Sequence, residues 1–191
     1  MEGTFVRAAY NNEGYVILGY EVVNRSIGEP WMLLDVGITL RDGVKEQTLK
    51  RDAVSLETAR RQDDSLPTAS EHRAANTSAL QNRAKVQRDS INYFPPGAIR
   101  PRRIGFFAEL GSPVMPFDEV ELSNNRACLG RLFFPVPDGI AYGQHWLNVK
   151  LEKSVIRVPF KILTKEEEQI LSRNFKDIRK QVQEAFKPKK K

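Results

Sequence analysis

Two stretches in the first 45 residues have the hydrophobic pattern of β-strands. Residues 14–24, GYVILGYEVVN, are almost continuously apolar and rich in β-branched and aromatic side chains, which predicts a strand buried on both faces. Residues 31–43 alternate, which predicts a strand with one apolar face. That face holds Met32, Leu34, Val36, Ile38 and Leu40. Asp42-Gly43 then predicts a hairpin turn, after which residues 44–52 return as an edge strand.

The pattern changes between residues 50 and 92, where the chain is polar, rich in alanine and poor in β-branched residues. Thr68 and Glu71 have the spacing of a capping box and follow a proline, which predicts a helix over residues 69–89. A long polar segment inside a compact domain is usually an excursion from the fold. We therefore predict that residues 50–92 are a helical or irregular insertion between strands.

Strand patterns resume after this insertion. Residues 102–110 predict a strand with its apolar side chains on one face, and residues 119–125 and 128–139 predict two more, each closed by turn residues. The apolar face of the first contains Ile104, Phe106, Ala108 and Leu110.

Residues 145–163, HWLNVKLEKSVIRVPFKIL, predict a terminal β-hairpin. One register gives a wholly apolar face by pairing Leu147 with Phe160, Val149 with Val158, and Leu151 with Ile156. A slip of one residue would bring Arg157 onto that face. The register implies a four-residue loop over residues 152–155. It is preferred to a tight turn at Lys153-Ser154, which lacks glycine or asparagine.

Residues 164–187 predict an amphipathic helix. Thr164 and Glu167 form a second capping box, and glutamates crowd the positive end of the helix. The apolar stripe consists of Leu171, Phe175, Ile178, Val182 and Phe186. This stripe must be buried, either against the chain's own β-sheets or against a partner or second copy.

Length and composition fit a soluble protein of one domain with an elaboration, or of one domain plus a helical appendage. The chain has 191 residues, of which 40% are hydrophobic and 28% charged, and no apolar run is long enough to span a bilayer. The start, MEGTFVRAAY, lacks the basic and apolar regions of a signal peptide. We expect either a cytoplasmic protein or a mature exported one. The net charge of +6, partly from the tail KPKKK, favours weak attraction to anions.

The residues that commonly perform catalysis are few. Cys128 is the single cysteine, so it forms no intramolecular disulfide, and its apolar neighbours predict a buried thiol. His72 and His145 lie in different elements with no zinc-binding spacing. A Cys128–His145 nucleophile pair is possible across strands, but nothing nearby predicts an activated thiol. We expect no cofactor and no metal. An enzyme, such as a hydrolase whose carboxylate site cannot be recognised from sequence, ranks behind both an interaction module and a polyanion binder.

Acidic residues occur in QDDS and FDEVE but lack the spacing of a calcium loop. The residues concerned are Asp63, Asp64, Asp118, Glu119 and Glu121. They are interpreted as loop and strand-edge charges.

Two surface clusters are candidates for recognition. Arg100, Arg102 and Arg103 follow Tyr93 and Phe94, and basic side chains among aromatic ones are typical of single-strand binders. The alternative is a solvated entry to a strand.

The second cluster lies on the outer face of the terminal hairpin. It contains Trp146, Asn148, Lys150, Arg157 and Lys161. The predicted register places Lys161 opposite Trp146, close enough for a cation–π contact. An exposed tryptophan among cations would suit a protein or glycan partner. The alternative is that the insertion or the terminal helix covers Trp146.

Seven or eight short strands without βαβ alternation predict a sandwich. Three stretches, GYVILGYEVVN, GRLFFPV and LNVKLEKSVIRVPFKI, resemble the immunoglobulin-like (telokin-like) domains of exported bacterial proteins of unknown function. In such domains the opening strand ends in asparagine, a middle strand carries two aromatic residues, and a final hairpin closes the sheet. The resemblance covers about 100 of the 191 residues and departs from the pattern at residues 50–92 and in the terminal helix. The chain also lacks the cysteine pair of antibody-type domains. The resemblance implies an exported, non-catalytic binding or assembly module.

The sequence therefore predicts a mainly β protein, an immunoglobulin-like antiparallel β-sandwich over residues 1–163, with the insertion at 50–92. Residues 164–191 form an amphipathic helix with a basic tail. We expect a periplasmic or otherwise secreted interaction module or structural subunit that contacts a protein partner or a second copy. The candidate contact residues are Trp146, Lys150, Arg157, Lys161, Arg100, Arg102, Arg103, Leu171, Phe175, Ile178 and Val182. The alternative is a nucleic-acid or polyanion binder that uses the arginine cluster and lysine tail.

Overall fold

A computed structural model of the chain describes residues 4–58, 64–86, 91, 101–109 and 115–174. Strands dominate these residues, so the mainly β prediction is confirmed. In chain order the strands are β1 Val6–Tyr10, β2 Gly14–Gly19, β3 Trp31–Leu40, β4 Gln47–Lys50, β5 Val54–Glu57, β6 Asp64–Ser65, β7 Arg102–Ile104, β8 Glu119–Leu122, β9 Cys128–Pro135, β10 Gly143–Lys150 and β11 Val155–Ile162. The helices are α1 Glu21–Asn24, α2 Ala69–Ala74, α3 Ser78–Val86 and α4, residues 165–174.

Sheet 1 has the strand order β1-β2-β3-β9-β7. It is antiparallel except at its edge, where β7 runs parallel to β9. Gly130 permits this contact, because a Cβ there would lie 2.5 Å from the Ile104 carbonyl oxygen. The central strand β3 lies where it was predicted, but it is buried over most of its length on both faces, whereas one apolar face was expected.

Sheet 2 has the order β11-β10-β5-β6 and contains the terminal hairpin. The apolar face of the hairpin is confirmed, but the predicted register is wrong by two residues. Leu147 pairs with Val158 and Val149 with Ile156. The loop has the expected four residues, yet it spans Leu151 to Ser154, whose backbone groups close it with a hydrogen bond of 2.8 Å. A shift of two residues keeps every side chain on its predicted face, which is why the apolar pattern could not exclude it.

The third sheet pairs β4 with β8, and this overturns the predicted hairpin between residues 31–43 and 44–52. The turn itself is present: Gly43 has a φ of 81°, and the Val44 amide donates to the Arg41 carbonyl at 3.1 Å. Both edges of β3 are already occupied by β2 and β9. The chain after the turn must therefore find another partner.

The predicted strand over residues 14–24 ends early, at Gly19, and the chain continues into the short helix α1. The Asn24 side chain at the end of α1 accepts a hydrogen bond from the Leu163 amide at 2.7 Å. This bond ties the opening segment to the end of β11. The apolar run is buried as predicted, but two kinds of secondary structure share it.

The predicted insertion contains structure that its polar composition concealed. The residues of β5 lie inside it and pair with β10 in sheet 2. The predicted helix 69–89 is two helices, α2 and α3, separated at residues 75–77. The capping box is confirmed: the Glu71 amide donates to Thr68 Oγ1, and the Thr68 amide donates to the Glu71 carboxylate.

These helices cover part of the outer face of sheet 1. Arg131 on β9 donates to the Ala84 carbonyl of α3 at 3.2 Å, and His72 of α2 packs against Phe133. Leu80 and Ala84 are buried as well. The helices therefore add a layer to sheet 1.

Residues 102–110 are wrongly predicted as one regular strand. β7 ends at Ile104 and the chain bends, so that Phe106 and Phe107 are both buried instead of alternating. Leu110 lies outside the described residues.

The helix α4 begins as predicted. Thr164 and Glu167 form the capping box, with amide-to-side-chain distances of 3.1 and 3.2 Å. Leu171 is half-buried and packs against the core of the chain itself, whereas the neighbouring Ile170 is exposed. Phe175, Ile178, Val182 and Phe186 lie outside the described residues, so a partner for the rest of the stripe stays a prediction.

Candidate functional site

The outer face of sheet 2 carries a cluster around Trp146. We call Trp146, Arg157, Glu57 and Pro159 the tryptophan patch. Pro159 lies directly opposite Trp146 on β11. The Arg157 Cζ lies 4.5 Å from the centroid of the Trp146 ring, and its Nη2 donates to Glu57 Oε2 on β5 at 2.6 Å. Three adjacent strands therefore contribute to one patch.

The cation beside Trp146 is Arg157, which corrects the predicted contact with Lys161. The observed register places Lys161 opposite Gln144, where its Nζ pairs with Glu167 Oε1 at 2.5 Å. The error follows from the two-residue shift, because Lys161 is two residues from the true partner of Trp146. Lys150 is exposed at the far end of β10 and lines a separate open cleft with Lys50 and Asp52.

Trp146 is half-buried, so its ring is neither fully exposed nor covered. The side chain of Arg157 is 51% exposed despite its ion pair with Glu57. A guanidinium over an indole face is held by the ring quadrupole, which limits the rotamers of both groups. The patch thus presents a half-buried aromatic ring with a cation and an anion beside it.

The arginine cluster is on another part of the molecule, at the β7 edge of sheet 1. Arg102 Nη1 pairs with Glu121 Oε2 at 2.6 Å, and Arg103 Nη2 pairs with Glu109 Oε1 at 3.4 Å. The hydrogen bond that Arg102 donates to the Glu121 carboxylate raises the pKa of Arg102. Arg100 lies outside the described residues. Carboxylates therefore already neutralise the two described members of this cluster.

Charge is unevenly divided along the chain. Of the 30 basic and 24 acidic residues, 11 basic and five acidic ones lie outside the described ranges, so the described residues carry 19 of each. Residues 175–191 contain seven basic and two acidic residues. The described surface is thus balanced, and the excess positive charge lies mainly in the C-terminal sequence.

Cys128 is buried as predicted, and its Sγ donates to the Glu121 carbonyl at 3.4 Å. Burial raises its pKa to about 11, so the thiolate is disfavoured at neutral pH. His145 stacks on Phe160, and its Nε2 lies 3.0 Å from the Ala141 carbonyl. Burial lowers its pKa. The thiol and the imidazole therefore hydrogen-bond to different backbone carbonyls.

His72 is enclosed by aromatic rings, 4.4 Å from the ring centroid of Phe133 and 4.8 Å from that of Phe107. Burial, with a smaller effect from the nearby Arg51 charge, lowers its pKa to about 4. His72 is neutral at pH 7 and acts as a packing residue. Its burial was missed because the surrounding sequence is polar.

The acidic segments QDDS and FDEVE agree in part with their interpretation as loop and strand-edge charges. Asp118 pairs with Arg51, and Glu121 pairs with Arg102. Asp63 lies outside the described residues. Across the described ranges, no group of three or more His, Cys, Asp or Glu side chains is placed to hold a metal ion.

A second aromatic cluster was not predicted. Tyr10 on β1 pairs with Tyr15 on β2, and their ring centroids are 5.8 Å apart. Arg41, just after β3, places its Cζ 5.3 Å from the Tyr15 ring centroid. We call these three residues the tyrosine ladder. The sequence YNNEGY contained the signal, since a turn at Asn12-Glu13 sets its two tyrosines opposite each other.

Among the described residues, no helix is both long enough and apolar enough to cross a membrane. No protein-family model matches the sequence, and neither a curated protein nor a solved structure matches the chain.

Proposed function

We propose that this chain is a non-enzymatic protein-interaction or assembly module, built on an immunoglobulin-like variant of the β-sandwich, that binds a partner protein through the tryptophan patch. The observation that carries the proposal is the Arg157 guanidinium, held over Trp146 and paired with Glu57 on an outer sheet face. Tryptophan and arginine are enriched among the residues that dominate binding energy at protein interfaces.

The tryptophan patch is suited to binding a partner protein because contacts within the patch already restrain its side chains. The cation–π contact and the ion pair restrain Arg157 before binding, so less side-chain entropy is lost when a partner docks. Pro159 adds a rigid apolar neighbour. The patch also carries charges of both signs, which suits a partner with matching groups, including a second copy related by a two-fold axis.

The buried titratable groups support a non-catalytic role. Cys128 has a raised pKa, whereas His72 and His145 have lowered ones, and all three are packed inside the fold. A nucleophile or general base must reach its substrate. These groups are positioned for packing.

Site-specific photo-crosslinking tests the proposal. A photoreactive phenylalanine analogue at Pro159 should capture one defined partner, or a second copy, in cells that produce the chain, whereas the same analogue at the exposed Ser70 on α2 should not. Trp146→Ala and Arg157→Glu should abolish the crosslink, and the exposed control Arg173→Glu should not. Equal capture at positions 159 and 70, or a crosslink that survives Trp146→Ala, would contradict the proposal.

The charge distribution favours one other candidate function, binding of a nucleic acid or another polyanion through the basic C-terminal sequence. The balanced charge of the described residues argues against their surface as the polyanion site. Affinity for single-stranded DNA should fall steeply between about 50 and 200 mM salt and should be lost on deletion of residues 187–191. Salt-independent binding, or binding that survives the deletion, would exclude this function.

A further inference from the structure

We infer that the tyrosine ladder is a second binding site, which stacks a neutral sugar ring on Tyr10. The ladder is on sheet 1, whereas the tryptophan patch is on sheet 2. The inference therefore goes beyond the proposed protein contact and can fail independently of it.

The ladder runs across neighbouring strands and ends at an exposed ring. Arg41 packs on Tyr15, and Tyr15 packs on Tyr10. Among the described residues, β1 is the edge strand of sheet 1, so the hydrogen-bonded order of that sheet ends at Tyr10, although β1 also packs beside β11 of sheet 2. Its side chain is 69% exposed. A planar or ring-shaped ligand packed on Tyr10 would continue the ladder.

Hydrogen bonds around the Asn11–Gly14 turn hold the ladder in place before any ligand binds. Asn11 Oδ1 accepts from the amides of Glu13 and Gly14 at 2.8 and 3.1 Å, and Asn11 Nδ2 donates to Ser154 Oγ at 2.7 Å. The Glu13 carboxylate is buried and accepts hydrogen bonds from the Lys153 amide and the Ser154 hydroxyl. A turn tied in this way to the β10–β11 loop keeps Tyr10 and Tyr15 at a fixed spacing.

The charges at this end of the molecule favour an uncharged ligand. Arg41 is followed along the chain by the exposed Asp42, and Lys153 is preceded by the exposed Glu152, so each cation has an acidic neighbour in the sequence. A strand of nucleic acid would need an excess of cations along its backbone, which this balance does not provide. A sugar ring needs no net charge.

The ladder has the groups that a sugar requires. The negative face of a tyrosine ring attracts the weakly positive C–H groups on the flat side of a sugar. The Arg41 Nη1 donates to the Asn11 carbonyl at 3.3 Å, and a guanidinium has further N–H donors for hydroxyl oxygens. The exposed Asn12 amide offers both a donor and an acceptor.

Isothermal titration calorimetry of the full chain with cellopentaose, maltopentaose, mannopentaose and N-acetylchitopentaose tests this inference. At least one should bind saturably with a Kd tighter than about 1 mM. Tyr10→Ala should weaken that binding about tenfold, and Tyr10→Phe should retain it because the ring face is kept. Trp146→Ala should leave it unchanged, and equal urea midpoints should establish that each variant is folded.

The inference is overturned if none of the four sugars binds, or if binding persists undiminished in Tyr10→Ala. It is also overturned if a 15-nucleotide deoxythymidine strand binds in their place and that binding is lost in Tyr10→Ala, since the ladder would then stack bases. Loss of sugar binding in Trp146→Ala with no effect of Tyr10→Ala would assign the sugar to the tryptophan patch, and would equally refute the ladder.

Discussion

Replacing Arg51 with methionine should cost about 3 kcal/mol of unfolding free energy. Arg51 begins the 3₁₀ turn between β4 and β5, and it is buried. Its Nη1 donates to the Pro67 carbonyl at 3.0 Å, and its Nη2 donates to the Phe117 carbonyl at 3.2 Å. Its Nε and Nη2 both reach Asp118 Oδ1, at 3.0 and 2.8 Å. One guanidinium therefore joins three separate segments of the chain.

The magnitude comes mainly from the buried contacts. A hydrogen bond from a charged donor contributes about 1.5–3 kcal/mol, and the buried Pro67 would lose its guanidinium donor. The Arg51 Cζ also lies 5.0 Å from the ring centroid of Phe107, a cation–π contact of about 0.5–2 kcal/mol. The Asp118 side chain is 88% exposed, so its ion pair adds only about 0–1 kcal/mol. Methionine keeps the apolar stem, so little packing is lost.

Urea unfolding followed by tryptophan fluorescence measures this cost. Arg51→Met should lower the urea midpoint without changing the dependence of the unfolding free energy on urea concentration. The control Asp118→Asn should cost about 0.5 kcal/mol of unfolding free energy. His72 gives a second readout by NMR: the pKa of its imidazole should rise in Arg51→Met, because a nearby positive charge is removed, yet stay below its usual value because burial remains. If Arg51→Met costs no more than Asp118→Asn, the carbonyl and aromatic contacts do not stabilise the fold as argued.

Two further predictions concern stability. The pKa of His72 is about 4 in the fold against 6.5 for an ordinary histidine, so its contribution is complete above about pH 6.5 and is lost as the pH falls toward 4. In His72→Phe the urea midpoint should therefore fall less between pH 7 and pH 4.5 than it does in the unmodified protein. An equal fall in both proteins would contradict the assigned pKa. Thr68→Ala should cost about 1 kcal/mol because it removes the capping box of α2, whereas Thr68→Ser should cost much less. Equal urea midpoints for the two variants would show that the Thr68 hydroxyl does not stabilise α2.

The sequence predicted the strands best where an apolar pattern continues over many residues. The residues of β3, β10 and β11 were identified because their alternation extends over eight to ten positions. The residues of β5 were missed because Val54 and Leu56 are two apolar positions in a polar segment. Their strand forms because β10 offers a free edge to pair with, which is a feature of the assembled sheet and absent from the local sequence.

Pairing between distant segments explains two further features that the sequence did not predict. The pair β4–β8 joins segments far apart in the chain, and no periodicity in either segment identifies the other. The parallel contact of β7 with β9 depends on Gly130, whose missing Cβ allows the close approach. Neither pairing can therefore be recognised from the hydrophobic pattern of one of its strands alone.

The candidate sites were harder to predict than the core, as the terminal hairpin shows. Burial decides which face of a strand points inward, but a shift of two residues satisfies burial equally well. The identity of the cation over Trp146 changes with such a shift, from Lys161 to Arg157. Lysine is a flexible point charge, whereas the planar guanidinium of arginine can stack on the indole and pair with Glu57 at the same time. Chemistry on an outer face therefore depends on the register that the loop selects, and here the Leu151–Ser154 hydrogen bond makes that selection.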